Sequence, residues 1–268
     1  MVTLSILGCK ILQDEIVWLL KNDPNIDETI IVENDNVAEF EEKLDREGIA
    51  YAGIPPKDMP HAIGKRENDS FRVIIEIFEL GLHEYPKDLK SRVYEEIERI
   101  RVFSDGLLLF YGLCGNVLGD VENDFSNEEK GFIVRILRDE ERIVDDCIAA
   151  TVGGSSKYCE LLKAHSSKPT FFFTPMYASS WNELVSQNRH YSDPEKALKM
   201  TKMLFKEVGY SRVAKVNTGL TYVKDIDKKI KEFADLFEFE IIEIEGNQEI
   251  FKKCYYSIKD ELQAHTTL

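Results

Sequence analysis

Cysteine, positive charge and long apolar runs are all scarce in this sequence, and each shortage removes a class of function. Five cysteines in 268 residues are too few and too dispersed for a disulfide framework. No two of them form a C-x-x-C pair, and reduced thiols in a cytoplasmic protein are the expectation. Lys and Arg number 34 against 49 Asp and Glu, for a formal net charge of −15. Phosphate backbones require clustered cations, and the densest basic run, Lys228, Lys229 and Lys231, is diluted by Asp225, Asp227 and Glu232. Nucleic acid is therefore excluded as a partner, and an anionic membrane surface is disfavoured. No segment approaches the ~20 apolar residues that cross a bilayer. The first residues carry neither the basic region nor the cleavage site of a signal peptide. The dinucleotide fingerprint and the Walker pattern are both missing, Ser179 and Ser180 have no nucleophile-elbow context, and no repeat recurs at fixed period.

What remains is a composition that is 43% hydrophobic and 31% charged, enough for a substantial core. Short apolar runs alternate with longer amphipathic ones, the pattern of βα units around a parallel sheet. Strands are predicted at 2–7, 28–32, 50–54, 106–111, 170–173, 213–216 and 239–244, with weaker candidates at 132–137 and 143–144. Helices are expected at about 12–21, 37–46, 87–101, 147–152, 155–162 and 248–262. The run 71–82 suits a buried helix, with a strand over 73–77 as its alternative. Residues 57–70 read as a loop or lid. The fold expected is a Rossmann-like, mostly parallel α/β sheet flanked by helices. It forms a single domain over 1–268, with lobes 1–175 and 176–268 as the alternative division.

In open α/β sheets, ligands bind outside the carboxyl ends of the strands. The segments that end the predicted strands include Gly8-Cys9, the Gly112-Leu113-Cys114-Gly115-Asn116 block, Asp145-Asp146-Cys147, Thr174-Pro175 and Asn217-Thr218-Gly219. Three of the five cysteines, Cys9, Cys114 and Cys147, thus fall at equivalent positions, whereas Cys159 and Cys254 fall inside predicted helices. Three thiolates can hold three irons of a four-iron cluster and leave the fourth for substrate. They can equally hold a zinc with an open position. His83, at a punctuated turn before Pro86, and Asp146 are the candidates for fourth ligand or acid/base. Gly112, Gly115, Asn116 and Thr174 are the candidates for contact with a small-molecule substrate or cofactor. The alternative is that the cysteines are small buried hydrophobes.

The block Phe-Tyr-Gly-Leu-Cys-Gly-Asn at 110–116, Asp146-Cys147-Ile148-Ala149 and Phe173-Thr174-Pro175 resemble domain-of-unknown-function family 1638 of archaea and anaerobic bacteria. Leu7-Gly8-Cys9 and the stretch around Leu82-His83, Pro86 and Leu89 are similar to it too. Members often occur beside corrinoid-dependent methyltransferase genes. The resemblance therefore implies a role near anaerobic one-carbon metabolism, with a corrinoid protein or methyltransferase as partner. It also implies that Cys9, Cys114 and Cys147 belong to the family pattern and that Cys159 and Cys254 do not. Before Cys147 the family tends to carry a histidine, and here Asp145 stands in that run.

Overall fold

A computed structural model describes residues 2–63, 70–126, 131–140, 142–186 and 193–266. In chain order the elements are β1 (Val2–Cys9), α1 (Gln13–Asn22), β2 (Glu28–Val32), α2 (Ala38–Glu47), β3 (Ala52–Ile54), α3 (Met59–Ala62), β4 (Phe71–Phe78), α4 (Pro86–Ile100), β5 (Gly106–Phe110), α5 (Val121–Phe125) and β6 (Ile133–Ile136). A two-residue hairpin follows, β7 (Arg138–Asp139) and β8 (Arg142–Ile143), then α6 (Cys147–Val152), α7 (Ser155–Ala164), β9 (Thr170–Phe173), α8 (Pro175–Ser186) and α9 (Pro194–Val208). The chain ends with β10 (Arg212–Asn217), α10 (Ile226–Phe237), β11 (Glu240–Glu245) and α11 (Glu249–Thr266).

The chain divides into two compact units, Met1–Cys147 with Glu249–Leu268, and Ile148–Gln248. In the first, six strands form a sheet in the order β3-β2-β4-β1-β5-β6, with every described pairing parallel. The central strands β1 and β4 are buried along their whole length, as a parallel sheet covered on both faces requires. That burial explains why 71–82 reads as a buried helix from sequence, whereas the structure makes Phe71–Phe78 a strand. A continuous apolar run carries no period to separate the two. The β-branched Val73, Ile74, Ile75 and Ile77 and the neighbours on either side, β1 and β2, decide for the strand. The expected loop or lid at 57–70 contains the short helix α3, and its residues 64–69 lie outside the described residues.

The carboxyl-terminal helix α11 returns to this unit and packs on β1, β5 and β6. It is pinned at the end of α1, where Tyr255 donates to Asp23 Oδ2 at 2.7 Å and Lys259 Nζ stands 2.5 Å from the same oxygen. All three side chains are buried.

The second unit has its own three-stranded sheet in the order β11-β10-β9, again parallel. Its core is aromatic: Phe173, Trp181, Phe233 and Phe237 pack with Phe171, Phe205 and Phe239 partly buried around them. The mostly parallel α/β fold expected from the sequence is present, with its parallel strands shared between a six-stranded and a three-stranded sheet, so strand ends that look equivalent in sequence belong to different units.

Candidate thiol site

Two chain segments diverge at the carboxyl edge of the six-stranded sheet. From β1 the chain crosses toward β2 on one side, and from β5 it continues to β6 on the other. A crevice opens between adjacent strands whose connections part in this way. Cys9 is the last residue of β1, and Gly112-Leu113-Cys114 leaves the end of β5.

The third cysteine arrives by a route other than the one expected from sequence. Cys147 does not follow a strand of the parallel sheet; β8, just before it, belongs to an antiparallel hairpin with β7. What places it is the pairing of residues 144–145 with 113–114. Leu113 N–H donates to the Val144 carbonyl at 2.8 Å and Cys114 N–H to that of Asp145 at 3.1 Å. Gly112 makes this approach feasible: a Cβ there would lie 2.5 Å from Val144 O and 2.8 Å from Asp146 N.

After Gly112 the backbone turns left-handed for three residues, Cys114 (φ 45°), Gly115 (φ 77°) and Asn116 (φ 64°). Val117 N–H closes this turn onto the Leu113 carbonyl at 3.1 Å. Two non-glycine residues held in this region cost of order 1 kcal/mol each, and such strain clusters at functional sites. Gly115 and Asn116 are exposed, so the turn forms the solvent side of the site. Asn116 folds back toward Gly119, and Gly115 abuts Pro86 at the start of α4.

The three thiols sense one another. Burial pushes Cys9 up to about 12, against a lowering by the Ile11 amide, and Cys114 raises it further. Burial pushes Cys114 to about 11, with the Gly112 amide opposing and Asp146 adding to the rise. Burial also lifts Cys147 well above its ordinary range, with Asp146, Cys9 and Cys114 reinforcing it. Cys147 keeps some exposed surface as a residue, but its sulfur is enclosed. Lys10 is a minor lowering influence on Cys9. Activated cysteine nucleophiles need a depressed pKa from a neighbouring base or cation. This set has the opposite character.

Other candidates are placed as follows. Asp146 stands beside both Cys114 and Cys147. His83 lies on the 3-10 turn Leu82–Glu84 after β4, and its side chain falls outside the described residues. Thr174 belongs to the second unit; its hydroxyl accepts from Tyr177 N–H at 3.2 Å and caps α8. Cys159 is exposed, and Cys254 is buried on α11, where its sulfur accepts from Arg138 N–H at 3.4 Å.

Two side chains near the thiols escape a reading by strand ends. Tyr111 is 3% exposed, and burial, reinforced by Cys9, Cys114, Glu79 and Glu76, raises its phenol well above the ordinary tyrosine range. Glu15, in the first turn of α1 and 2% exposed, is pushed up to about 8 by burial, then by Asp14, and its charge reaches Cys147. The signal for Tyr111 was present in its position beside the Gly-Leu-Cys-Gly-Asn block. Glu15 gives none, because an acidic residue in a first helical turn is ordinary.

Among the described residues, no group of three or more His, Cys, Asp or Glu side chains closes around a point that could hold a single metal ion. The donor chemistry does suit a soft cofactor: three thiols, and exposed backbone at 115–116 beside them. No helix among the described residues is long and apolar enough to cross a membrane.

No curated protein and no solved structure matches the chain. A family model does, over residues 77–255. The match takes in Tyr111, Cys114, Asp146 and Cys147 but not Cys9 or Glu15. Covering about two thirds of the sequence, it shows that the chain belongs to the family described as "Protein of unknown function (DUF1638)".

Proposed function

We propose that Cys9, Cys114 and Cys147 hold an iron–sulfur cluster with one iron open to a small substrate. The observation that supports this reading is that three thiols from three separate segments come to one region: Cys9 and Cys114 follow the paired strands β1 and β5, and the Leu113–Val144 and Cys114–Asp145 hydrogen bonds bring the segment of Cys147 against that of Cys114. When bound, such a cluster supplies a Lewis-acidic iron and a one-electron couple. The chain's own part is to hold the thiols apart at fixed positions, with Asp146 or His83 as fourth ligand or acid/base. The loop at 112–116 faces the substrate. The wider role, within anaerobic one-carbon metabolism beside a corrinoid protein or methyltransferase, rests on the family resemblance, and a cytoplasmic location on the few, dispersed cysteines.

Anaerobic purification followed by an ultraviolet–visible spectrum and iron, sulfide and zinc analysis tests this. The expected result is a brown protein, after reconstitution where necessary, that loses its colour on Cys114→Ala. A colourless protein that resists reconstitution sinks the reading. The same donor spacing, together with thiols that burial keeps protonated, supports a second reading. In it the protein binds a small molecule or a corrinoid-protein partner without metal, and the cysteines pack as structural residues.

A further inference from the structure

Tyr111 follows directly on Phe110, the last residue of β5. Phe110 stacks on Phe251 of α11, with ring centroids 5.6 Å apart, so its side chain takes the α11 face of the sheet. Successive residues of an extended segment point to opposite faces, which directs Tyr111 away from α11. The register that pairs Gly8 with Phe110 brings Tyr111 alongside Cys9 at the ends of β1 and β5, and Cys9, Cys114, Glu79 and Glu76 all lie within electrostatic reach of it. The side chain is buried at 3% exposure, and its hydroxyl has no hydrogen-bond partner among the described residues.

An orphaned buried hydroxyl is costly, because water has been lost and nothing replaces it. Native interiors pair such groups almost without exception, and a specific orphan calls for an explanation. A phenol O–H offers one hydrogen to donate. A donor of this kind is completed by an acceptor that arrives with the occupant of the site. A bare cation cannot serve, because it has no lone pair to offer.

We propose that Tyr111 is a positioning residue of the thiol site, and that its O–H donates to a lone-pair-bearing atom of the occupant lying beside Cys9 and Cys114. This rests on the cluster reading, and the acceptor is then a cluster sulfide or a cysteine sulfur bound to iron. A hydrogen bond to such a sulfur stabilises the reduced, more negative state and raises the potential.

The test compares wild type with Tyr111→Phe, which removes one oxygen and preserves the ring. Metal-free and anaerobically reconstituted full-length protein are both measured. Metal-free Tyr111→Phe is expected to melt at or above the wild-type temperature, because the lost hydroxyl had no partner. Reconstituted Tyr111→Phe is expected to keep the wild-type iron and sulfide content while its midpoint potential moves to a more negative value. An unchanged potential overturns the proposal and leaves the cluster intact. A metal-free variant that melts several degrees lower also overturns it, because the hydroxyl then has a partner inside the protein. A wild-type protein that takes up no iron under any reconstitution removes the cluster reading and this inference together.

Discussion

Gly112 lies so close to the backbone of Asp146 that a Cβ on it would stand 2.8 Å from the amide nitrogen and 2.9 Å from Cα. Through this contact the segment after β5 is laid against the segment before α6, and Cys114 is brought to Cys147. Both atoms belong to backbone, and the Val144 carbonyl at 2.5 Å is a third such obstacle, so no rotamer change relieves the clash. Gly112→Ala is expected to destabilise the first unit by about 2–3 kcal/mol, measured as a fall in the urea midpoint. It should also separate Cys114 from Cys147, seen as a lower yield of Cys114–Cys147 cross-link with a short bifunctional thiol reagent. Wild-type stability in this variant would mean that the two segments are not clamped as described.

Much of this arrangement was legible before the structure. β2 and β9 fall where the apolar runs place them, and β5 differs from its predicted span only at Tyr111. Local pattern decides such strands, with turn residues on both sides. The strand β4 was ambiguous because continuous burial erases the period that tells strand from helix. The convergence of Cys9 with Cys114 follows from parallel neighbours, β1 and β5, and was readable as strand-end placement. That of Cys147 was not readable for the right reason, since two hydrogen bonds from 113 and 114 position it. Backbone pairing outside regular strands leaves no periodic trace. Thr174 looks equivalent to the cysteines in sequence, yet β9 joins another sheet. Strand-end logic alone cannot tell which sheet a strand will enter.

The pinning of α11 can be broken at one atom. Asp23 Oδ2 accepts from both Tyr255 and Lys259, and Lys259 is 4% exposed. Asp23→Ala leaves a buried ammonium without its counter-charge, which costs about 3–5 kcal/mol. The expected outcome is a large fall in stability with early loss of hydrogen-exchange protection along α11. The double variant Asp23→Ala with Lys259→Met should recover much of the loss, because it removes the uncompensated charge. No recovery would argue that the carboxylate acts by some means other than charge pairing.

Alkylation should rank the cysteines by exposure and thiolate content. Cys159 is exposed. Cys114 keeps some surface, but a pKa of about 11 leaves only about one thiol in a thousand ionised at pH 8. Cys9 and Cys254 are buried. Brief treatment of the native metal-free protein with iodoacetamide should therefore modify Cys159 almost alone, and Cys159→Ser should abolish the fast phase. Equally fast labelling of Cys114 in intact mass spectra would show a thiolate that the surroundings described here do not permit.

The buried Glu15 should make stability fall with rising pH. Its carboxyl ionises near 4.5 in an unfolded chain and is pushed up to about 8 by burial, with Asp14 adding to the rise and Lys43 opposing it. Between these values the folded state holds a proton that the unfolded state has released, so the slope of unfolding free energy against pH is negative. The contribution is complete below pH 4.5, declines toward pH 8 and is flat above it. Glu76 adds a second decline of the same sign, since burial and the neighbouring Glu96 push it to about 8 as well. Glu15→Gln keeps the shape of the neutral carboxyl and cannot ionise. Its stability advantage over wild type should grow by roughly 2–4 kcal/mol between pH 5 and pH 8. Urea titrations of both proteins at half-unit pH steps measure this directly. Parallel curves would show that Glu15 ionises in the fold as easily as in solution.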